Sequence, residues 1–182
     1  EHISISTNTE TSTSKQEIIK QAFKFHSEGN IREAKNYYQD FINQGFTDYR
    51  VFSNYGVILK DLGDLEEAEK LTRKAVDMKP ELANLHYNLG NILKALGKLN
   101  EAINSCKKAI DLKPDLAEAY NNLGTMLKDV GKLNEAELSI QKAIELKPNN
   151  KSIQKTLISL LTIYKPTILT SNRINTINEE FK

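Results

Sequence analysis

The chain lacks the features that mark several classes of protein. It has no tryptophan and a single cysteine, so no disulfide can form within it. Its 25 basic and 24 acidic residues nearly cancel, which removes the strongly basic surface expected of a nucleic-acid-binding protein. No apolar run approaches the ~18 residues that a membrane-spanning helix needs. We therefore expect neither a nucleic-acid partner nor a membrane partner.

The N-terminus also lacks recognisable signals. The chain begins at Glu1 rather than at methionine, and no basic stretch followed by an apolar run is present. A secretory signal is therefore not visible, although we expect a truncated or processed N-terminus that has lost upstream residues. The lone cysteine agrees with a reducing compartment. We expect a cytoplasmic protein.

What the chain does contain is a fixed interval of 34 residues between small residues and prolines. The recurring positions are Gly56, Gly90 and Gly124; Gly63, Gly97 and Gly131; Ala68, Ala102 and Ala136; Ala75, Ala109 and Ala143; and Pro80, Pro114 and Pro148. A fixed period of this size indicates a repeat fold, in which each unit buries its apolar face against its neighbours.

One repeat illustrates how the pattern works. Apolar residues at helical spacing in 83–96 predict a first helix, and Gly97 ends it because glycine accepts the left-handed conformation. The same spacing in 99–112 predicts a second helix, which Pro114 cannot continue. Gly90 lies inside the first helix, where glycine costs roughly 1 kcal/mol relative to alanine. We therefore expect Gly90 at a close contact between the two helices.

These residues resemble the tetratricopeptide repeat (TPR). The motif is Tyr87-Asn88-Leu89-Gly90 followed by Leu93, Gly97, Ala102, Ala109 and Pro114, and equivalent copies begin at Phe52 and Tyr120. Where the family has a first-helix Trp and a second-helix Phe, the chain has Phe52, His86 and Tyr120, and Thr72, Cys106 and Ile140. The resemblance implies an all-α fold: a right-handed α-solenoid of helix-turn-helix repeats with a C-terminal cap helix.

The resemblance covers about residues 15–164 and divides the chain into segments. These are a disordered polar tail at 1–14, repeats at 15–48, 49–82, 83–116 and 117–150, a cap helix at 151–164, and a C-terminal tail or linker to a missing domain at 165–182. The first repeat is atypical, because Ala22, Phe41 and Phe46 replace the family's glycine, alanine and proline. An atypical terminal repeat is expected at the end of such an array.

In TPR proteins the first helices line a concave groove that binds peptides. The resemblance implies that the peptide-binding residues of this chain are Arg50, Asn54 and Lys60 in the second repeat, Tyr87, Asn88, Asn91 and Lys94 in the third, and Asn121, Asn122 and Lys128 in the fourth. A carboxylate clamp of the chaperone-binding kind is not expected. Only Asn88 matches its pattern, and Glu118 would repel a carboxylate.

Two rows of identical residues stand out in this set. Asn54, Asn88 and Asn122 are similar to the asparagine ladder in the TPR arm of O-GlcNAc transferase. An amide donates and accepts hydrogen bonds, so such a row can pair with an extended peptide backbone. Alternatively, asparagine is simply common at this TPR position. The second row, Lys60, Lys94 and Lys128, predicts either a preference for acidic peptides or a solvated face.

A small apolar group lies at the inward positions of the first repeat. Ile19 and Phe23, with Val57 of the next repeat, form either a hydrophobic pocket or a junction with the N-terminal tail or a missing upstream repeat. Tyr37 and Tyr38 are interpreted as packing residues. Cys106 falls on a buried helical stripe, where it acts as a small hydrophobe.

Catalytic and metal-binding patterns are missing from the sequence. The three histidines, His2, His26 and His86, have no cysteine or carboxylate at ligand spacing, and we find no phosphate-binding loop or nucleophile motif. We expect no metal, no cofactor and no enzyme, but a protein-interaction module that binds a peptide segment. One alternative is the substrate-recruiting arm of a larger enzyme, such as a transferase. Another is an oligomerisation scaffold with weak self-association through the cap helix.

Overall fold

The computed structural model describes residues 6–164, with the side chains of residues 14–163. This part of the chain contains nine α-helices and no strand. The helices are α1 (Ser6–Ser27), α2 (Ile31–Asn43), α3 (Tyr49–Leu62), α4 (Leu65–Met78), α5 (Ala83–Ala95), α6 (Leu99–Leu112), α7 (Ala117–Asp129), α8 (Leu133–Leu146) and α9 (Lys151–Tyr164). The predicted all-α class is confirmed. The expected C-terminal tail, 165–182, lies outside the described residues.

The helices belong to two compact units, which are Glu1–Lys79, the N-terminal unit, and Pro80–Lys182, the C-terminal unit. In the N-terminal unit α1 packs against α2 and α3 against α4. In the C-terminal unit α5 packs against α6 and α7 against α8, while α9 lies against α8 and α7. The basic element is therefore the pair of consecutive helices that the period predicts.

Glycine ends the first helix of every pair. Gly29, Gly63, Gly97 and Gly131 all adopt φ between 74° and 87°, a left-handed conformation that places no Cβ in conflict with the backbone. At α3 the N–H of Gly63 bonds to the carbonyl of Lys60, which satisfies one of the free carbonyls at the helix end. The helix-ending role predicted for this glycine set is confirmed.

The glycines inside the first helices sit at close helix contacts. A Cβ atom added to Gly90 would lie 2.8 Å from Cys106 Sγ and 3.3 Å from the carbonyl oxygen of Ala102. The equivalent facing pairs are Gly56 with Thr72 and Gly124 with Ile140. The recurring alanines are fully buried, so the small residues of the period mark where the two helices of a pair approach each other.

Cys106 is fully buried in the same contact. Burial raises the pKa of its thiol to about 12. At neutral pH the side chain is therefore a protonated thiol, and its position agrees with the predicted role as a small hydrophobe.

Helix α1 begins earlier than the sequence suggests. It starts at Ser6, so it includes residues that composition predicts to be part of a disordered tail ending at residue 14. The physical reason is that residues 15–27 pack against α2 and nucleate the helix. Adding a preceding turn then requires only propagation, which costs far less than nucleation.

Helix α9 takes the place of a first helix of a fifth repeat. Ile153 and Leu160 are buried in it, whereas Ile163 is 64% exposed. Ile158 lies 34 residues after Gly124, at the position where α3, α5 and α7 have glycine and α1 has Ala22.

Candidate functional site

Three of the residues that the resemblance assigns to peptide binding lie together in the C-terminal unit. Asn122 on α7 donates from Nδ2 to Asn91 Oδ1 on α5 at 2.6 Å. The same Nδ2 lies 3.4 Å from the hydroxyl oxygen of Tyr87. Asn88 and Asn121 occupy the neighbouring positions on α5 and α7, and all five side chains are half-buried. We call these five residues the amide surface.

The amide surface offers a ligand both acceptors and donors. Asn122 Nδ2 is bonded within the surface, which leaves the Asn122 carbonyl oxygen as an acceptor. Asn91 accepts through Oδ1, which leaves its own N–H groups as donors. Asn121 Oδ1 is buried and has no hydrogen-bond partner among the described residues. A peptide backbone, which carries both N–H and C=O groups, matches this chemistry.

Charge around the amide surface is locally balanced. Lys147, which follows α8, donates a hydrogen bond to Glu118 on α7, and this bond lowers the pKa of the Glu118 carboxyl. Lys94 and Lys128 lie in the last turns of α5 and α7, where the helix dipole favours a positive charge. Lys94 and Lys128 can therefore stabilise the ends of α5 and α7 without binding any ligand.

In the N-terminal unit the predicted cations are each paired with a neighbouring carboxylate. Arg50 donates from Nε and Nη2 to Asp48 at 3.0 and 2.7 Å, and Lys60 Nζ lies 2.6 Å from Asp61. Burial raises the pKa of the Asp48 carboxyl, but the hydrogen bonds from Arg50 outweigh it, so the pKa is lowered overall. Asp48 also caps α3 by accepting from the Arg50 N–H at 2.8 Å.

Asn54, the first member of the asparagine row, lies beside a buried tyrosine. Tyr38 is fully buried, and its hydroxyl lies 3.0 Å from His26 Nδ1. Burial raises the pKa of Tyr38 to about 12, and the Asn54 side chain opposes this only in part. The His26–Tyr38 pair therefore links α1 and α2, and Asn54 approaches it from α3.

An open depression lies beside these residues. Phe23, His26 and Ser27 of α1 and Asn54 of α3 line a volume of about 320 Å³. The Arg50 guanidinium lies 5.6 Å from the centre of the Phe23 ring. The sequence predicts either a hydrophobic pocket or a junction at Ile19, Phe23 and Val57, and of these only Phe23 lines the depression. We call Phe23, His26, Ser27 and Asn54 the Phe23 pocket.

Of the polar members of the Phe23 pocket, Asn54 was predicted from the sequence, whereas His26 and Ser27 were not. Both lie at the end of α1, and the partner of His26, Tyr38, comes from another helix. The TPR register could have drawn attention to His26, because it lies 34 residues before Lys60.

Two further properties concern the described residues as a group. They contain no cluster of three or more His, Cys, Asp or Glu side chains able to hold a metal ion. None of their helices combines the length and the apolar character needed to cross a bilayer.

Comparison with known families identifies the repeats. Residues 90–131 match the family described as "TPR repeat", and residues 117–150 and 49–82 each match "Tetratricopeptide repeat". From residue 49 to residue 150 the chain is thus composed largely of tetratricopeptide repeats, and it belongs with the TPR proteins. Among curated proteins, no sequence matches the chain significantly.

Solved structures agree with this fold. The chain is similar to "MamA 41-end from Desulfovibrio magneticus RS-1", with 19% identity, a TM-score of 0.80 and coverage of 91% of this chain and 93% of that one. It is also similar to YrrB, described as "a TPR protein with an unusual peptide-binding site", with 20% identity, a TM-score of 0.72 and coverage of 81% and 75%. These likenesses confirm the α-solenoid class of fold.

A third structure contains a bound peptide. It is the "First TPR of Spaghetti (RPAP3) bound to HSP90 peptide SRMEEVD". The identity is 25%, the TM-score is 0.61, and the match covers 63% of this chain and 90% of that chain.

Proposed function

We propose that the protein is a non-enzymatic interaction module that binds a peptide segment on its first helices. The observation that carries this proposal is the amide surface, where Asn122 is held by Asn91 and Tyr87 with its carbonyl oxygen left as an acceptor. Fixed amide acceptors suit the N–H groups of an extended backbone. Peptide binding by YrrB and RPAP3, as their descriptions state, supports the same ligand class.

In this proposal the protein recognises the backbone of the bound peptide more than its charged side chains. Arg50 and Lys60 are each paired with an adjacent carboxylate, and Glu118 is paired with Lys147. Ion pairs of this kind reduce the field that would select an acidic peptide. The asparagine row, Asn54, Asn88 and Asn122, is therefore a better candidate for recognition than the lysine row.

Selection from a displayed peptide library tests the proposal. The immobilised chain should enrich peptides that bind in solution, and Asn88→Arg should abolish that binding by placing a bulky cation on the amide surface. Asn100→Arg is the matched control, because Asn100 is exposed on a second helix. The proposal is wrong if no peptide binds, or if the selected peptides bind both variants equally.

A scaffold role is the second candidate, and the exposed Ile163 on α9 favours it. Light scattering measures it directly: a concentration-dependent increase in mass that Ile163→Lys abolishes would support association through α9. A recruiting arm of a larger enzyme would use the same peptide-binding surface, so these variants do not distinguish it from an independent module. The length of the parent gene does. The cytoplasmic location remains a prediction.

A further inference from the structure

The Phe23 pocket combines one apolar wall with one polar wall. Phe23 is half-buried, and its ring lies at 57° to the Tyr38 ring with centroids 6.2 Å apart. His26 and Asn54 supply the polar wall. Ser27 is exposed, and its hydroxyl donates to the carbonyl of Lys24 at 2.8 Å. The pocket is therefore formed by side chains that neighbouring contacts hold in place.

The polar wall retains hydrogen-bonding capacity after its internal bonds are made. The Tyr38 hydroxyl lies 3.0 Å from His26 Nδ1, so this contact uses one of the two ring nitrogens of His26. The other ring nitrogen and the Asn54 amide, which lines the pocket, are left for a ligand.

The surroundings favour an uncharged occupant. Arg50, whose guanidinium lies 5.6 Å from the centre of the Phe23 ring, is bonded to Asp48 through two nitrogen atoms. An aliphatic occupant would displace water from the half-buried His26 and Asn54 side chains without replacing its hydrogen bonds, which costs free energy. An aromatic ring can pack against Phe23 in an offset-stacked or edge-to-face arrangement, which is favourable. A polar group at the edge of that ring then reaches the polar wall.

We propose that the Phe23 pocket binds a tyrosine side chain of the peptide segment. This inference deepens the peptide-binding function proposed above and rests on it. The tyrosine ring lies against Phe23, and its hydroxyl pairs with the free ring nitrogen of His26 or the Asn54 amide. The Phe23 pocket thereby adds side-chain selection within the N-terminal unit.

Titration with N-acetyl-tyrosinamide, followed by amide NMR of the full chain, tests the proposal. We expect saturable shifts centred on Phe23, His26, Ser27 and Asn54. The affinity for N-acetyl-phenylalaninamide should be lower by a factor of about three or more, because this compound lacks one hydrogen bond. N-acetyl-leucinamide should bind more weakly still, since it also loses the aromatic contact.

Ser27→Met supplies the blocking variant, because a longer side chain at the rim fills the pocket without touching the buried Tyr38. It should abolish the saturable shifts, whereas Ser159→Met, at an exposed position on α9, should leave them unchanged. Leucinamide binding as tightly as tyrosinamide, equal binding by Ser27→Met, or no saturable shift would each overturn the inference.

The outcomes also separate this inference from the proposed function. Selected peptides that bind the amide surface, together with no tyrosinamide binding, would overturn the Phe23 pocket alone. Tyrosinamide binding without any selected peptide would overturn the peptide-binding function and the assignment of the tyrosine to a peptide, while the preference of the Phe23 pocket for a tyrosine side chain would stand.

Discussion

Residues at equivalent repeat positions make different contacts. Asn54 lies beside Tyr38 and lowers the pKa of its hydroxyl, whereas Asn122 is bonded to Asn91 and lies near Tyr87. The position in the repeat decides which face of the helix a residue occupies, and the neighbouring helices decide its partner. Identical residues in a row therefore differ in how much hydrogen-bonding capacity they can offer a ligand.

The glycines inside the first helices, Gly56, Gly90 and Gly124, behave in the opposite way. At each of them the second helix of the pair lies too close to leave room for a Cβ atom. Replacing Gly90 with alanine brings a methyl group to 2.8 Å from Cys106 Sγ. We predict that Gly90→Ala lowers the free energy of unfolding by about 1–3 kcal/mol, as overpacking does, despite the better helix propensity of alanine.

A double-mutant cycle with Cys106→Ala isolates that contact, because the second substitution removes the sulfur. In the Cys106→Ala background the cost of Gly90→Ala should fall to near zero. Chemical denaturation gives the four free energies. The same cost in both backgrounds would mean that the Gly90–Cys106 contact does not set the requirement for glycine.

At the scale of helices, each first helix packs mainly against the second helix of its own pair, whereas α9 packs mainly against α8 and to a smaller extent against α7. Its buried residues Ile153 and Leu160 cover the end of the last complete pair. We propose on this basis that α9 is the cap predicted from the sequence.

Two substitutions on α9 test the cap. Leu160 is fully buried and Ile163 is 64% exposed. Leu160→Ala should cost about 2–5 kcal/mol of stability, as buried leucine truncations do. Ile163→Ala should stay within about 0.5 kcal/mol.

Denaturation of both variants, with hydrogen exchange of α7 and α8, measures the difference. The Leu160 variant should lose protection in α8 first, since terminal units depend on a single neighbour. Equal stability of the two variants would show that α9 does not cap the last pair.

For the molecule as a whole, the fold was predictable and the site only in part. The period predicts the helix pairs, and Gly97 predicts the end of α5, because both follow from local backbone preferences. The pairing of Asn122 with Asn91 was not predictable, since these residues lie 31 positions apart on different helices. The proximity of Asn54 to Tyr38 likewise depends on how α2 packs in the N-terminal unit.

The central claim is that asparagine amides hold the backbone of a bound peptide, and calorimetry on a selected peptide tests it most directly. The test variant is Asn88→Ala with Asn122→Ala in the C-terminal unit. The control is Asn100→Ala with Asn134→Ala, exposed positions on second helices with the same 34-residue spacing. Asn54→Ala is measured separately, with its stability, because it also removes a neighbour of the buried Tyr38.

Each lost hydrogen bond contributes about 0.5–1.5 kcal/mol, so the test variant should lose roughly 1–3 kcal/mol of binding free energy if the two terms add. The loss should be similar for selected peptides of different side-chain sequence and should change little with salt. The control should bind as the unmodified chain does. Unchanged affinity in the Asn88 and Asn122 variant would contradict the account.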